Sequence, residues 1–227
     1  MNHDHRSRRS LVSGLGAAIA ALTLGSRNAR AQTPGRTFQP ARHDRDEWFN
    51  AVPGTHRTII DCAAVGAAGA GILYANNLYL ANKSGYSLPE SDVAIVVCLR
   101  HFATVFAFND AIWGKYGKAM SDAVQFTDPK SKQAPASNLL NSASYGQSMS
   151  NLGITIQSVV QRGTQFAVCD MATHMISGQV AAAARATPDE IYKEFVDNLI
   201  PGSHLVAAGV VGVNRAQEFG YTLLTAV

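Results

Sequence analysis

Cysteine is scarce in this sequence: 227 residues contain three, Cys62, Cys98 and Cys169, an odd number that cannot all pair with one another. A disulfide-stapled scaffold is therefore excluded, and at least one thiol stays free or bonds between molecules. Long apolar runs are scarce too. The run from Leu11 to Leu24 falls short of the ~20 residues that span a bilayer, and no other segment is apolar for long enough, so no membrane span is expected once the N-terminus is set aside. An excess of one charge is also lacking, although the whole chain reads +3. Residues 1–31 hold five Arg and one Asp; taking these from 19 basic and 16 acidic residues leaves 14 and 15, a net charge of about −1. A chain so balanced carries no basic footprint for nucleic acid.

The basic residues belong to an address. HRSRRSLVSGLGAAIAALTLGSRNARAQ joins a basic start, the Leu11–Leu24 run and a small-residue site, Ala29-Arg30-Ala31, before Gln32. That is the pattern of a removable export signal over residues 1–31. Ser7-Arg8-Arg9-Ser10-Leu11 resembles the twin-arginine motif, which predicts the twin-arginine (Tat) export machinery as a partner and the periplasm as destination. The alternative is an ordinary secretory signal with a chance Arg pair. The twin-arginine route passes folded cargo, which would let a cofactor be loaded before export.

About 196 residues remain, enough for one domain with its own core. Residues 32–56 are polar and proline-punctuated and read as an extended arm, with Trp48 and Phe49 able to pin it to the domain or to a neighbouring subunit. The domain, residues 57–227, opens on a β-branched strand, Thr58–Cys62, followed by a helix from about Val65 to Lys83 with Gly85 placed to end it. Asp92–Leu99 is continuously apolar, as strands covered on both faces are. Phe102–Tyr116 reads as helical. Residues 117–147 form a long Ser/Asn/Pro/Lys-rich loop, either a functional flap or a mobile excursion. Met149, Leu152, Ile156, Val159 and Val160 recur at helical spacing. Thr187-Pro188-Asp189-Glu190 combines an N-cap, a first-turn proline and a capping box. Strands at Leu205–Ala208 and Tyr221–Thr225 flank a helix over Val211–Phe219. Strands alternating with helices predict a single doubly wound, mostly parallel α/β sheet flanked by helices, with ligands beyond the carboxyl ends of its strands.

Cys98, Arg100, His101 and Cys169 all fall at such ends. In QFAVCDMAT, residues 165–173, a short strand runs into Cys169 and a helix begins directly after it. The unpaired amides and dipole at a helix N-terminus favour thiolate over thiol, which makes a reactive sulfur. A buried structural cysteine is the competing reading. Gly66, Gly69 and Gly71 invite comparison with a dinucleotide loop, but helix–sheet packing explains them equally and the next strand ends in Arg100-His101 with no acidic residue for a ribose, so no cofactor is expected.

Three further motifs carry a resemblance: Gln161-Arg162-Gly163-Thr164-Gln165-Phe166-Ala167-Val168-Cys169, then Leu199-Ile200-Pro201-Gly202 leading to Val206-Ala207-Ala208-Gly209-Val210-Val211, and Gln217-Glu218-Phe219-Gly220-Tyr221. In this order they resemble the DsrE/DsrF-like family, best from Leu152 onward. The resemblance implies a small α/β domain that assembles into oligomers. It also implies that Cys169 stands where relay members carry persulfide sulfur, and His101 where many relatives have a histidine. Export and the long 117–147 loop depart from the relay pattern.

The leading expectation is therefore a sulfur-handling or thiol-redox protein, a sulfur carrier or sulfurtransferase-like molecule, that forms homo-oligomers and meets a sulfur-donor or thiol protein partner. In it Cys169 is the nucleophile, His101 supplies a charge or proton, and Arg100 holds an anion. His174 reads as packing or surface. One alternative is a metal-binding protein using Cys98, His101, Cys169 and His174, although these spacings match no standard zinc pattern. The other is a non-catalytic ligand-binding or assembly module.

Overall fold

Seven consecutive buried residues, Val93–Leu99, form the middle strand of a five-stranded sheet, and a strand buried on both faces requires cover on both. The computed structural model describes residues 39–227; the export signal read in residues 1–31 lies outside them. The strands are β1 (His56–Cys62), β2 (Val93–Leu99), β3 (Gln165–Cys169), β4 (Ser203–Val206) and β5 (Thr222–Thr225). The helices are α1 (Trp48–Ala51), α2 (Val65–Tyr86), α3 (Asp110–Val124), α4 (Ile156–Val160), α5 (Asp170–Ala184), α6 (Pro188–Asp197) and α7 (Gly209–Glu218). All pairings are parallel, in the order β4-β3-β2-β1-β5. The fold is the doubly wound α/β sheet that the sequence predicts.

From β1 to β4 each connection steps the same way across the sheet, and the last one returns past β1. Right-handed crossovers then put the helices of the first steps on one face and that of the return on the other. The core divides accordingly. Ile60, Cys62, Ile95, Val97, Leu99, Phe166 and Val168 pack with residues of α2, α3 and α5. Ile59, Ala94, Val96, Cys98, Ala167 and Val206 pack with Val213 and Ala216 of α7, and with Phe49. Gly71 on α2 belongs to this packing, since a Cβ there would collide with the Cys62 sulfur. Gly71 is thus needed for helix–sheet packing, while a Cβ on Gly69 would meet Ser150 and Asn151 and one on Gly66 would meet nothing within 4 Å.

The N-terminal segment departs from an extended arm. Residues from Arg42 join the main compact unit. Phe49 is fully buried, and the Arg57 guanidinium donates to the carbonyls of Phe49 (2.9 Å), Val52 (3.0 Å), Gly54 (3.2 Å) and Asn50 (3.3 Å), so the turn is tied to its own domain. The Trp48 ring lies flat on His204 of β4, centroids 4.0 Å apart.

Three helical expectations shift for local reasons. Val65–Tyr86 runs through Gly85, because the left-handed residue that stops it is Ser87 at φ 58. The expected helix over 102–116 is split: a 3-10 turn covers His101–Ala107, Phe108 is extended and bridges Leu199, and α3 starts anew where the Asn109 carboxamide caps the amides of Ala111 and Ile112. Leu152 and Gly153 have positive φ, so the helix expected from Met149 begins only at Ile156, under a Thr155/Ser158 capping box. The long loop is shorter and better anchored than expected. Its first eight residues, 117–124, finish α3, and Asn138 donates to the Phe106 and Phe108 carbonyls at 2.9 Å beside buried Leu139 and Leu140. The Thr187/Glu190 capping box with Pro188 forms as read.

Candidate functional site

Cys169 ends β3 and is at once the N-cap of α5, a 15-residue helix. Its Sγ accepts the Ala172 amide at 3.4 Å, and its carbonyl accepts the Thr173 hydroxyl at 2.9 Å. The sulfur thus caps the helix, taking one of the amides that the first turn of a helix leaves without a backbone partner. The residue is 6% exposed, and it lines a cleft of about 350 Å³ together with Arg100, His101, Met171, Met175 and the Ala208–Val210 turn. The cleft lies beyond the carboxyl ends of β2, β3 and β4, where open parallel sheets bind ligands. Two helix N-termini, of α5 and α7, meet there. The structure thus brings all three expected site residues, Cys169, His101 and Arg100, to one cleft.

Arg100 is not free to take an anion as expected. Its Nε donates to Asp61 Oδ1 at 2.6 Å and its Nη2 to Asp61 Oδ2 at 2.8 Å, so the anion it holds is a side chain of this protein. Asp61 holds the guanidinium charged by this fork, raising its pKa. Sequence reasoning missed Asp61, although a lone carboxylate in the otherwise apolar run TIIDC was a readable signal. The stem of Arg100 lies against the first turn of α7. A Cβ on Gly209 would overlap the Cβ of Arg100, so a glycine is required for that approach.

His101 leaves the strand in the left-handed region, φ 53, and stacks on Phe102 with centroids 4.0 Å apart. It is exposed at the cleft. Non-glycine residues rarely adopt this conformation, and histidine is among those that do so more readily.

The other cysteines are set apart. Cys62 and Cys98 are fully buried, and burial pushes both thiols up, away from reactivity. Cys98 points to the α7 side, its thiol donating to the Gly209 carbonyl at 3.6 Å. His174 stacks on Tyr192 at 3.8 Å outside the cleft lining. Asp170, beside it, accepts the Tyr192 hydroxyl at 2.7 Å; burial and this bond push the phenol up to about 12. Cys98, His101, Cys169 and His174 are therefore not gathered as one ligand set, and among the described residues no three His, Cys, Asp or Glu side chains form a metal-binding group. Among the described residues no helix is long and apolar enough to cross a membrane.

Compared with known proteins, the chain matches no family model and no curated sequence. The class that can be stated is the one its architecture defines: a doubly wound, all-parallel α/β domain with a cysteine at a strand-to-helix junction.

Proposed function

We propose that this is an exported DsrE/DsrF-like protein of the periplasm that handles sulfur through Cys169. The observation that carries the reading is the capping geometry, with the Cys169 Sγ on the Ala172 amide at the mouth of a cleft. The chemistry requires a thiolate that a donor can approach. In the forward step the Cys169 thiolate attacks the outer sulfur of a donor persulfide, R–S–SH. The S–S bond of the donor breaks, R–S⁻ leaves, and Cys169 holds the sulfur as a persulfide. His101 stands at the cleft to protonate the departing thiolate. The Asp61–Arg100 pair holds the ends of β1 and β2 in place as a positioning element. The other components of this reading are the twin-arginine signal, homo-oligomeric assembly and a sulfur-donor or thiol protein partner.

The test is to incubate the reduced protein with a low-molecular-weight persulfide and read each cysteine peptide by mass. A one-sulfur gain on the Cys169 peptide, lost in Cys169→Ser and retained in Cys62→Ser, is expected. No gain on Cys169 at donor excess rejects the function. The 6% exposure of Cys169 favours a second reading, a ligand-binding or assembly module whose cysteine only caps a helix, and that outcome would leave it in possession.

A further inference from the structure

The Cys169 cleft carries more sulfur than a thiol carrier uses. Met171 and Met175 stand one helical turn apart on α5, face the same way, and both line the cleft. They are 68% and 37% exposed, whereas Met120 is fully buried and Met149 half-buried. The His101 imidazole lines the same space. A thiol, two thioethers and an imidazole therefore share about 350 Å³ with no carboxylate in the lining. Thiolate and thioether donors select Cu(I), imidazole also suits copper, and oxygen-seeking ions want carboxylates and carbonyls. The nearest cation, Arg100, is neutralised by its fork on Asp61 and does not repel a monovalent ion.

We infer that the cleft is a soft-metal site that binds Cu(I) through the Cys169 sulfur and the thioethers of Met171 and Met175, with His101 as the fourth donor. The inference rests on the reading of Cys169 as a sulfur that a ligand can reach and extends it from sulfur compounds to a metal ion. Binding exchanges the thiol proton for copper, the proton passes to solvent, and no electron is transferred.

The test uses the full chain, reduced and free of oxygen, titrated against the Cu(I)–bicinchoninate complex, with iodoacetamide labelling of Cys169 measured on the same preparation. Withdrawal of a single Cu(I) per chain is expected, abolished in Cys169→Ser. It should be weakened in Met171→Leu/Met175→Leu by more than the ~10-fold that even an outer-shell loss produces. Leucine keeps the volume and helix propensity of methionine, so that variant folds. Copper bound as tightly by the double leucine variant overturns the site. So does a parent protein that leaves Cu(I) on bicinchoninate while its Cys169 still alkylates, a result that keeps the thiol function intact. If Cys169 neither alkylates nor binds Cu(I), both readings fall together.

Discussion

Arg100 closes a two-point fork on Asp61, at 2.6 and 2.8 Å, and so ties the carboxyl end of β2 to that of β1 beneath the first turn of α7. Both side chains are largely covered, 27% and 12% exposed, so removing one charge strands the other in poor solvent. Asp61→Asn keeps the shape and deletes the charge. It should cost about 2 kcal/mol, the scale of a charge-assisted hydrogen bond lost in a partly buried site. Urea unfolding checks this, and an unchanged midpoint would mean that the pair contributes nothing to stability.

Gly209 and Gly178 predict opposite signs for one substitution. A methyl group on Gly209 meets the Arg100 stem, whereas one on Gly178, in the middle of α5, meets nothing within 4 Å. Gly209→Ala should destabilise by about 1–3 kcal/mol through overpacking, and Gly178→Ala should stabilise by about 0.5–1 kcal/mol through helix propensity and a less flexible unfolded chain. Thermal melts of the two variants side by side give the comparison. Equal shifts would show that α7 can slide away from Arg100 at no cost.

How far the site was legible depends on how local each signal is. The β-branched and continuously apolar strands, the Thr187/Glu190 capping box and the Cys169 strand-to-helix junction are written within a few residues, and they form at or within a few residues of the expected positions. The Asp61–Arg100 pair joins residues 39 apart in sequence, and only strand register brings them together, Cys62 opposite Leu99 with Arg100 next in line. Phe49 reads in sequence as part of an arm because its partners, Phe219 and Tyr221, come from the far end of the chain. The helix expected from Met149 failed because apolar spacing says nothing of φ, and Leu152 at φ 49 ends the pattern.

His204 predicts an acid-sensitive clasp on the N-terminal turn. Its imidazole stacks on Trp48 and meets the Gln165 carboxamide oxygen at 3.2 Å, and burial lowers its pKa. A base whose folded pKa is depressed contributes stability that is present above its unfolded pKa, ~6.5, and lost as pH falls toward the folded value. Melting temperature should therefore drop between about pH 7 and about pH 5, with a change in Trp48 fluorescence. His204→Phe, which keeps a ring under Trp48, should flatten that part of the profile. An identical pH profile in the variant would place the acid sensitivity elsewhere.

Cys169 caps α5 and, in the proposed function, also presents sulfur, and substitutions can divide the two roles. Serine supplies a capping oxygen where cysteine supplies sulfur, so Cys169→Ser should fold as well as the parent, whereas Cys169→Ala leaves the Ala172 amide unpaired and should cost about 1 kcal/mol. The sulfur itself should react before the other two. Cys62 and Cys98 are fully buried with thiols pushed up by that burial, while Cys169 alone opens on a cleft. Iodoacetamide applied to the native protein, read peptide by peptide, should label Cys169 first. Labelling of Cys62 and Cys98 should wait for denaturant. If Cys169 also waits for denaturant while Cys169→Ala still loses its cap energy, the residue is a structural cap and no sulfur passes through it.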